Sequence, residues 1–168
     1  MLIFRYLAAA ALVCAAAAVA PAVAGPEQPK ARPVAPGAWM VQGLSALGSA
    51  ANRNFISNAS FVVTRDGVVV FDALGSPELA KELRAEIARV TPLPVTHVIV
   101  SHYHADHIYG LQYFKDAGAT VIAHRDARLY LNSDTAALRL KASREEMFPF
   151  IDEQTRLVPA DRWIDGPT

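Results

Sequence analysis

Cysteine is almost absent from this sequence. Of its 168 residues only Cys14 is a cysteine, and it lies in the first apolar stretch of the chain. A protein without cysteine beyond that stretch has neither a disulfide framework nor thiolate metal ligands. Any metal ion that the folded part binds must therefore be held by histidine, aspartate, glutamate or backbone oxygen.

An excess of charge of either sign is also missing. The chain has 16 basic and 16 acidic residues, a formal net charge of zero and no run of like charges. Proteins that bind nucleic acids or anionic membranes concentrate lysine and arginine, so neither partner is expected here. With 52% apolar and 19% charged residues, the composition is that of a globular protein of one domain.

The first 24 residues have the three-part pattern of a secretory signal peptide. Arg5 precedes an apolar stretch over residues 7–20, and Ala22-Val23-Ala24 forms a small-x-small cleavage site before Gly25. The apolar stretch is short for a transmembrane helix, although a retained anchor is the alternative. We predict a periplasmic or secreted protein with no stable membrane anchor after cleavage.

Residues 25–37 contain four prolines with charged residues between them. This composition predicts a stiff, solvated linker rather than a packed element. The folded domain is therefore expected to cover residues 38–168.

A strand hairpin is the clearest local prediction. Two runs rich in valine, within residues 60–72, flank Arg65-Asp66-Gly67, where glycine permits the backbone conformation of the turn. A helix should follow, because Ser76 can cap its first turn, Pro77 fits the first helical position and Thr91-Pro92 ends it.

The rest of the chain alternates between strands and helices. We predict a strand over 95–100, a short helix over 108–117, a strand over 120–123 and a long amphipathic helix over 125–148. This alternation predicts the α/β class. Apolar side chains of the last helix are expected to pack in the core: Leu129, Leu131, Leu138, Leu140, Met147 and Phe148. Trp39 and Trp163 are also expected to pack.

Three histidines and one aspartate follow the predicted strand 95–100 directly: His102, His104, Asp106 and His107. Alternate side chains of an extended segment share one face, so His102, His104 and Asp106 can converge. His107 joins them only if the backbone turns there. The cluster therefore belongs on a loop between a strand and a helix.

Imidazole nitrogen and carboxylate oxygen are typical ligands of zinc, with iron or manganese as alternatives. A metal ion with an open coordination position lowers the pKa of bound water to about 7. The pattern thus predicts a metal site that supplies hydroxide at neutral pH.

The segment His102-Tyr103-His104-Ala105-Asp106-His107 resembles the His-x-His-x-Asp-His motif of the metallo-β-lactamase superfamily. The resemblance runs from about Trp39 to the end of the chain. Ser101, Ile108-Tyr109-Gly110 and residues 158–166 are similar to the periplasmic quinoprotein-relay zinc metallohydrolases. The resemblance implies an αββα sandwich, of which this chain supplies roughly the first half, and a hydrolase that attacks small-molecule esters, lactams or thioesters with metal-bound hydroxide.

The resemblance also implies roles for individual residues. His102 and His104 correspond to ligands of a first zinc ion, and Asp106 and His107 to ligands of a second. Asp106 also corresponds to the residue that orients the attacking water. Asp72 corresponds to an aspartate that supports the site, although a role in capping its strand explains it equally well.

Members of the family complete the site with a further histidine, a bridging aspartate and a last histidine, and this chain has no histidine after His124. His124 is expected to line the mouth of the site or cap its strand, and His97 to be a structural histidine. We expect the uncovered sheet face of such a half-domain to cause self-association. The alternative function is an inactive metal-binding remnant, or a half-domain that needs a partner segment.

Overall fold

The computed structural model describes residues 27–166, so the predicted signal peptide, residues 1–24, lies outside the described residues. The described residues form seven strands: β1 (Ala31–Ala35), β2 (Ala38–Val41), β3 (Ala59–Val63), β4 (Val68–Phe71), β5 (Val95–Ile99), β6 (Thr120–His124) and β7 (Arg162–Ile164). They also form five helices: α1 (Pro77–Val90), α2 (Ala105–Ile108), α3 (Leu111–Asp116), α4 (Ala127–Leu131) and α5 (Asp134–Glu146).

The strands of the described residues make one sheet in sequence order, β1 to β7. The first four pair antiparallel, whereas β4, β5, β6 and β7 run parallel to one another. Parallel neighbours need a crossover, and helices supply it after β4, β5 and β6. The predicted α/β class is confirmed, as a mixed sheet with helical crossovers.

The predicted hairpin and first helix are both present. Gly67 closes the β3–β4 turn with φ of +146°, and its carbonyl accepts from the backbone N–H of Thr64 at 2.9 Å. A Cβ atom at Gly67 would lie 2.5 Å from the Thr96 side chain, so a larger residue does not fit. In α1 the hydroxyl of Ser76 accepts from the N–H of Leu79 at 3.2 Å, the capping contact that the sequence predicts.

One face of the sheet carries the core. Phe61, Val70, Val98 and Val121 are register partners in four neighbouring strands, and all four are fully buried. Helices α1 and α3 pack together beside this row, and Leu79, Leu83 and Ile87 of α1 belong to the same buried cluster.

The opposite face, which we call the open face, is less covered. Its apolar residues include Val62 of β3, which is 36% exposed, and Phe71 of β4, which is 38% exposed. Ile99 and Ile122 continue the Phe71 row and are half-buried. An apolar sheet face of this kind normally packs against another layer.

The predicted linker over residues 25–37 is wrong for its second half, because β1 forms there and pairs with β2. β1 is an edge strand of the sheet. An edge strand tolerates proline, because the backbone N–H groups on its outer side have no neighbouring strand to bond. Pro33 therefore fits a strand in spite of the composition.

The predicted long helix over 125–148 is two helices in the structure, α4 and α5. The break falls at Asn132, and Ser133 then caps α5 by accepting from the N–H of Ala136 at 3.3 Å. The packing prediction holds for Leu140 and Met147, which are buried, and for Leu131, which packs against the core in part. It is wrong for three residues that are mainly exposed: Leu129, Leu138 and Phe148.

Both tryptophans pack as expected. Trp39 stacks on Phe61 with ring centroids 5.4 Å apart, and Trp163 lies under the guanidinium of Arg128 at 4.6 Å. Within residues 27–166 no helix is long and apolar enough to cross a membrane.

Candidate metal centre

The four predicted ligands lie together where β5 ends and α2 begins. The ring of His102 lies 4.5 Å from that of His104 and 4.2 Å from that of His107, measured between centroids. The Oδ2 atom of Asp106 lies 3.3 Å from Nε2 of His107. The backbone is extended only as far as His104, so Asp106 and His107 both belong to the first turn of α2.

Asp72, directly after β4, fixes the loop that carries these ligands. Its Oδ1 accepts from the backbone N–H of Ser101 at 2.8 Å, and its Oδ2 accepts from the Ser101 hydroxyl at 2.7 Å. Oδ2 also lies 2.8 Å from Nδ1 of His107. The carboxylate therefore fixes the segment after β5 and the ring of His107 at once. None of these three contacts is to β4, the strand whose capping was the alternative role for Asp72.

These contacts determine which ring nitrogens remain for a metal. A hydroxyl has one proton to donate, and that of Ser101 points to Asp72. Ser101 Oγ must therefore accept from Nδ1 of His102, 2.9 Å away, which leaves Nε2 of His102 as a lone-pair donor. His107 likewise directs Nδ1 to Asp72, whereas its Nε2 faces Oδ2 of Asp106. Such partners of metal-binding histidines fix the tautomer and raise ligand basicity.

The charges of the cluster shift its titration. Burial acts to lower the pKa of His107, but its hydrogen bonds and charge interactions with Asp106 and Asp72 outweigh burial and raise the pKa to about 9. Burial acts to raise the pKa of Asp106, yet the hydrogen bond and charge of His107 hold it below the ordinary value. Burial, followed by the charges of His107 and His104, lowers the pKa of His102. A metal ion bound by Asp106 and His107 would replace the proton that the two residues share.

The donor set fits zinc in chemistry and in ring orientation. Across residues 27–166, however, no group of three or more His, Cys, Asp or Glu side chains is arranged to hold one metal ion. The resemblance assigns two of the four residues to each of two ions. It therefore predicts two pairs of ligands in this part of the site, and not a group of three around one ion. The contact between Asp106 and His107 also directs these two side chains toward each other.

Three cavities surround the cluster. One of about 430 Å³ adjoins Asp72, Asp106 and His107, and one of about 320 Å³ adjoins His102 and His104. A third, of about 440 Å³, adjoins His104 and Asp106. A larger depression of about 700 Å³ lies near β1 and is lined by none of the predicted site residues.

His124 lines the 320 Å³ cavity together with His102 and His104, and its Nδ1 accepts from the backbone N–H of Asp126 at 3.3 Å just after β6. Both alternatives, a place beside the cluster and a cap at the end of its strand, agree with this position. His97 lies within β5, and its Nδ1 is 3.0 Å from the hydroxyl of Thr96.

Sequence reasoning missed residues that support the cluster from other elements. The buried hydroxyl of Ser57 donates to the backbone carbonyl of Asp106, and no local pattern around Ser57 indicates this. Tyr103 is buried and donates to the carbonyl of Val158 at 3.3 Å, and burial raises the pKa of Tyr103 to about 12. The sequence did contain a sign of the role of Tyr103, because it is an aromatic residue between two histidines that are exposed. Successive side chains of an extended segment point to opposite sides, so Tyr103 is expected to point into the core.

A sequence model of the metallo-beta-lactamase superfamily matches residues 52–164 of this chain. The match covers most of the sequence and includes the whole cluster. The chain belongs to the metallo-β-lactamase superfamily.

Solved structures of the same fold are similar at low sequence identity. A metallo-β-lactamase from Erythrobacter litoralis is 23% identical, with a TM-score of 0.54, 80% of this chain covered and 49% of that one. The metallo-β-lactamase FIM-1 from Pseudomonas aeruginosa, in its mono-zinc form, is 14% identical, with a TM-score of 0.56 and coverage of 86% and 54%. The sec-alkylsulfatase Pisa1 from Pseudomonas sp. is 21% identical, with a TM-score of 0.53 and coverage of 69% and 18%. The chain thus spans about half the length of the two lactamases.

Proposed function

We propose that this chain carries the metal-binding part of an exported zinc-dependent hydrolase that acts on ester, lactam or thioester bonds of small molecules. The observation that carries the proposal is the Asp72 network, which leaves Nε2 of His102 as a lone-pair donor and sets Nε2 of His107 beside Asp106. Metal-binding histidines almost always have a partner of this kind on their second ring nitrogen. The superfamily of the chain includes hydrolases such as the lactamases it resembles.

When bound, zinc acidifies water and polarises a carbonyl oxygen. His102 and His104 would hold one ion, and Asp106 and His107 a second. The carboxylate of Asp106 is half-buried and open to two cavities, so it can accept a hydrogen bond from water and direct that water at an acyl carbon. Asp72 holds the Nδ1 proton of His107 and keeps that ring in place.

The size of the cavities and the balance of charge support a small-molecule substrate. Cavities of about 320 to 440 Å³ suit a ligand of modest size, and zero net charge disfavours nucleic acid. Export rests on the signal-peptide pattern in residues 1–24.

The first test is the zinc content of the purified chain by elemental analysis. The wild-type chain is compared with the double variant His102→Ala/His104→Ala and with His97→Ala, which removes an imidazole outside the cluster. Near-stoichiometric zinc in wild type and His97→Ala, lost in the double variant, supports the proposal. Zinc no higher in wild type than in the double variant overturns it for this chain. Hydrolysis of a chromogenic lactam, a p-nitrophenyl ester and a thioester then identifies the bond type.

A second candidate function is metal binding without catalysis, either as an inactive remnant or as a half-domain that needs a partner segment. One observation favours it: within residues 27–166, no three acidic or imidazole side chains are arranged to bind the same metal ion. Zinc retention without turnover of any of the three substrates would support this candidate over the hydrolase.

A further inference from the structure

A cavity beside the candidate metal centre is bordered by a cation from outside the motif. The cavity measures about 440 Å³, and the motif contributes His104 and Asp106 to its wall. Helices α4 and α5 contribute Tyr130 and Arg139. Among the residues that line it, Arg139 is the only arginine or lysine.

The guanidinium of Arg139 is available to a ligand at modest cost. Its side chain is 41% exposed, and Nη1 pairs with Oε2 of Glu146 at 3.2 Å, where Glu146 is itself 54% exposed. Ion pairs as exposed as this one contribute little to stability. A guanidinium has five N–H donors in a planar fork, which matches a carboxylate with two parallel hydrogen bonds. An incoming carboxylate can therefore replace Glu146 or bind beside it.

Tyr130 borders two cavities, the one with Arg139 and the one with His102 and His124. Burial raises the pKa of Tyr130, and the charge of Arg139 opposes this shift. The phenol is half-buried and stays protonated at neutral pH, so its O–H is a second donor to an anion at this point.

The helix that carries Arg139 is held firmly. Ser133 caps its start, and Leu140 and Ser143 are buried on its inner side. Near its end, Arg144 donates to the carbonyl of Asp152 at 2.9 Å. A recognition residue on a fixed helix keeps its geometry, as specificity requires.

We propose that Arg139, with Tyr130, binds a carboxylate of the substrate while the scissile bond lies at His104 and Asp106. The inference rests on the proposed function and narrows it to small molecules that carry a carboxylate apart from the acyl group that is cleaved. Apolar neighbours in the same wall, such as Ile56 and Met147, would contact the part of the substrate between the two groups.

The kinetic test compares two thioesters that differ only in a carboxylate or a carboxamide remote from the cleaved bond. Arg139→Gln is expected to raise KM for the carboxylate substrate about 10-fold or more and to leave the carboxamide within about 2-fold. Arg139→Lys keeps the charge but loses the planar fork of donors, so its KM for the carboxylate substrate should lie between those of wild type and Arg139→Gln. Lys141→Gln is the matched control, because it removes the same charge from an exposed position two residues away on α5. Equal effects of Arg139→Gln on both substrates overturn the inference.

A binding test needs no turnover and so separates this inference from the proposed hydrolase activity. The full chain without metal is titrated with phenylacetate and with phenylacetamide, and binding is followed by NMR. We expect phenylacetate to bind Arg139→Gln at least 5-fold more weakly than wild type or Lys141→Gln, with no such difference for phenylacetamide. A carboxylate held by the histidines instead would bind Arg139→Gln as well as wild type, which overturns the inference. If wild type cleaves neither these thioesters nor the lactam and the ester, the hydrolase proposal fails while this titration still decides the role of Arg139.

Discussion

Replacement of Asp72 by asparagine tests the central part of the site with almost no change of shape. Asp72 has φ of +63°, in the left-handed region, and asparagine tolerates that region as well as aspartate does. The variant therefore keeps the backbone and removes only the charge and one acceptor. The remaining amide cannot accept from Ser101 and His107 together in the way the carboxylate does.

Two magnitudes follow from these contacts. Loss of a residue that orients a metal ligand lowers metal affinity about 10- to 100-fold, or roughly 1.4 to 2.7 kcal/mol. In the metal-free chain, Asp72 is only 7% exposed and accepts charge-assisted hydrogen bonds, each worth about 1.5–3 kcal/mol. Asp72→Asn should therefore also lower the free energy of unfolding by about 2 kcal/mol.

The affinity is measured by competition for zinc with a fluorescent chelator, and the unfolding free energy by urea titration. Asp66→Asn is the control, because Asp66 lies in the β3–β4 turn with a side chain 79% exposed, and its change should cost less than about 0.5 kcal/mol. A folded Asp72→Asn variant that binds zinc as tightly as wild type would falsify the orienting role of Asp72.

Three further changes probe the fold. Gly110→Ala should lower the free energy of unfolding by about 3 kcal/mol, since its Cβ would lie 1.9 Å from the Ala73 carbonyl oxygen; a change below 1 kcal/mol in urea unfolding contradicts this close packing. Arg53→Met leaves the carboxylate of Glu82 without its cation, whose Nη1 lies 2.6 Å from Oε1 in the native chain, and should lower the free energy of unfolding by about 3 kcal/mol. An unchanged midpoint in the same assay argues against the pair. Val62→Lys places a charge on the open face and should reduce the self-association that sedimentation velocity measures. A wild-type chain that is monomeric and melts in one sharp transition would refute association through that face.

The elements that sequence analysis predicted well have strong local chemistry. The hairpin needs glycine at position 67, and α1 has a serine cap, a proline at its first position and a regular apolar stripe. In each case the residues that determine the conformation lie within a few positions of one another. The His-Asp cluster also spans only a few positions, so its place where β5 ends and α2 begins could be predicted.

The elements that sequence analysis predicted poorly depend on distant partners. β1 forms because it pairs with β2, and the four prolines of residues 25–37 favoured a linker over a strand in the sequence analysis. The division between α4 and α5 was visible in Asn132-Ser133, a capping sequence, but the apolar residues on both sides suggested a continuous helix. The position of Arg139 was not predicted for a similar reason, since nothing local shows that α5 brings it to a cavity beside His104.

The loop with the predicted ligands is fastened to the segment after β4 at several points. Besides the Asp72 contacts, the N–H of Ala73 donates to the carbonyl of His107 at 2.9 Å, and that of Gly110 to the carbonyl of Leu74 at 3.1 Å. The residues proposed to choose the substrate lie instead on α4 and α5, apart from this lattice of bonds. Directed evolution of α4 and α5 could therefore alter substrate preference without disturbing the cluster. A mutant library confined to these two helices is the most efficient way to find which further substrates this fold can cleave.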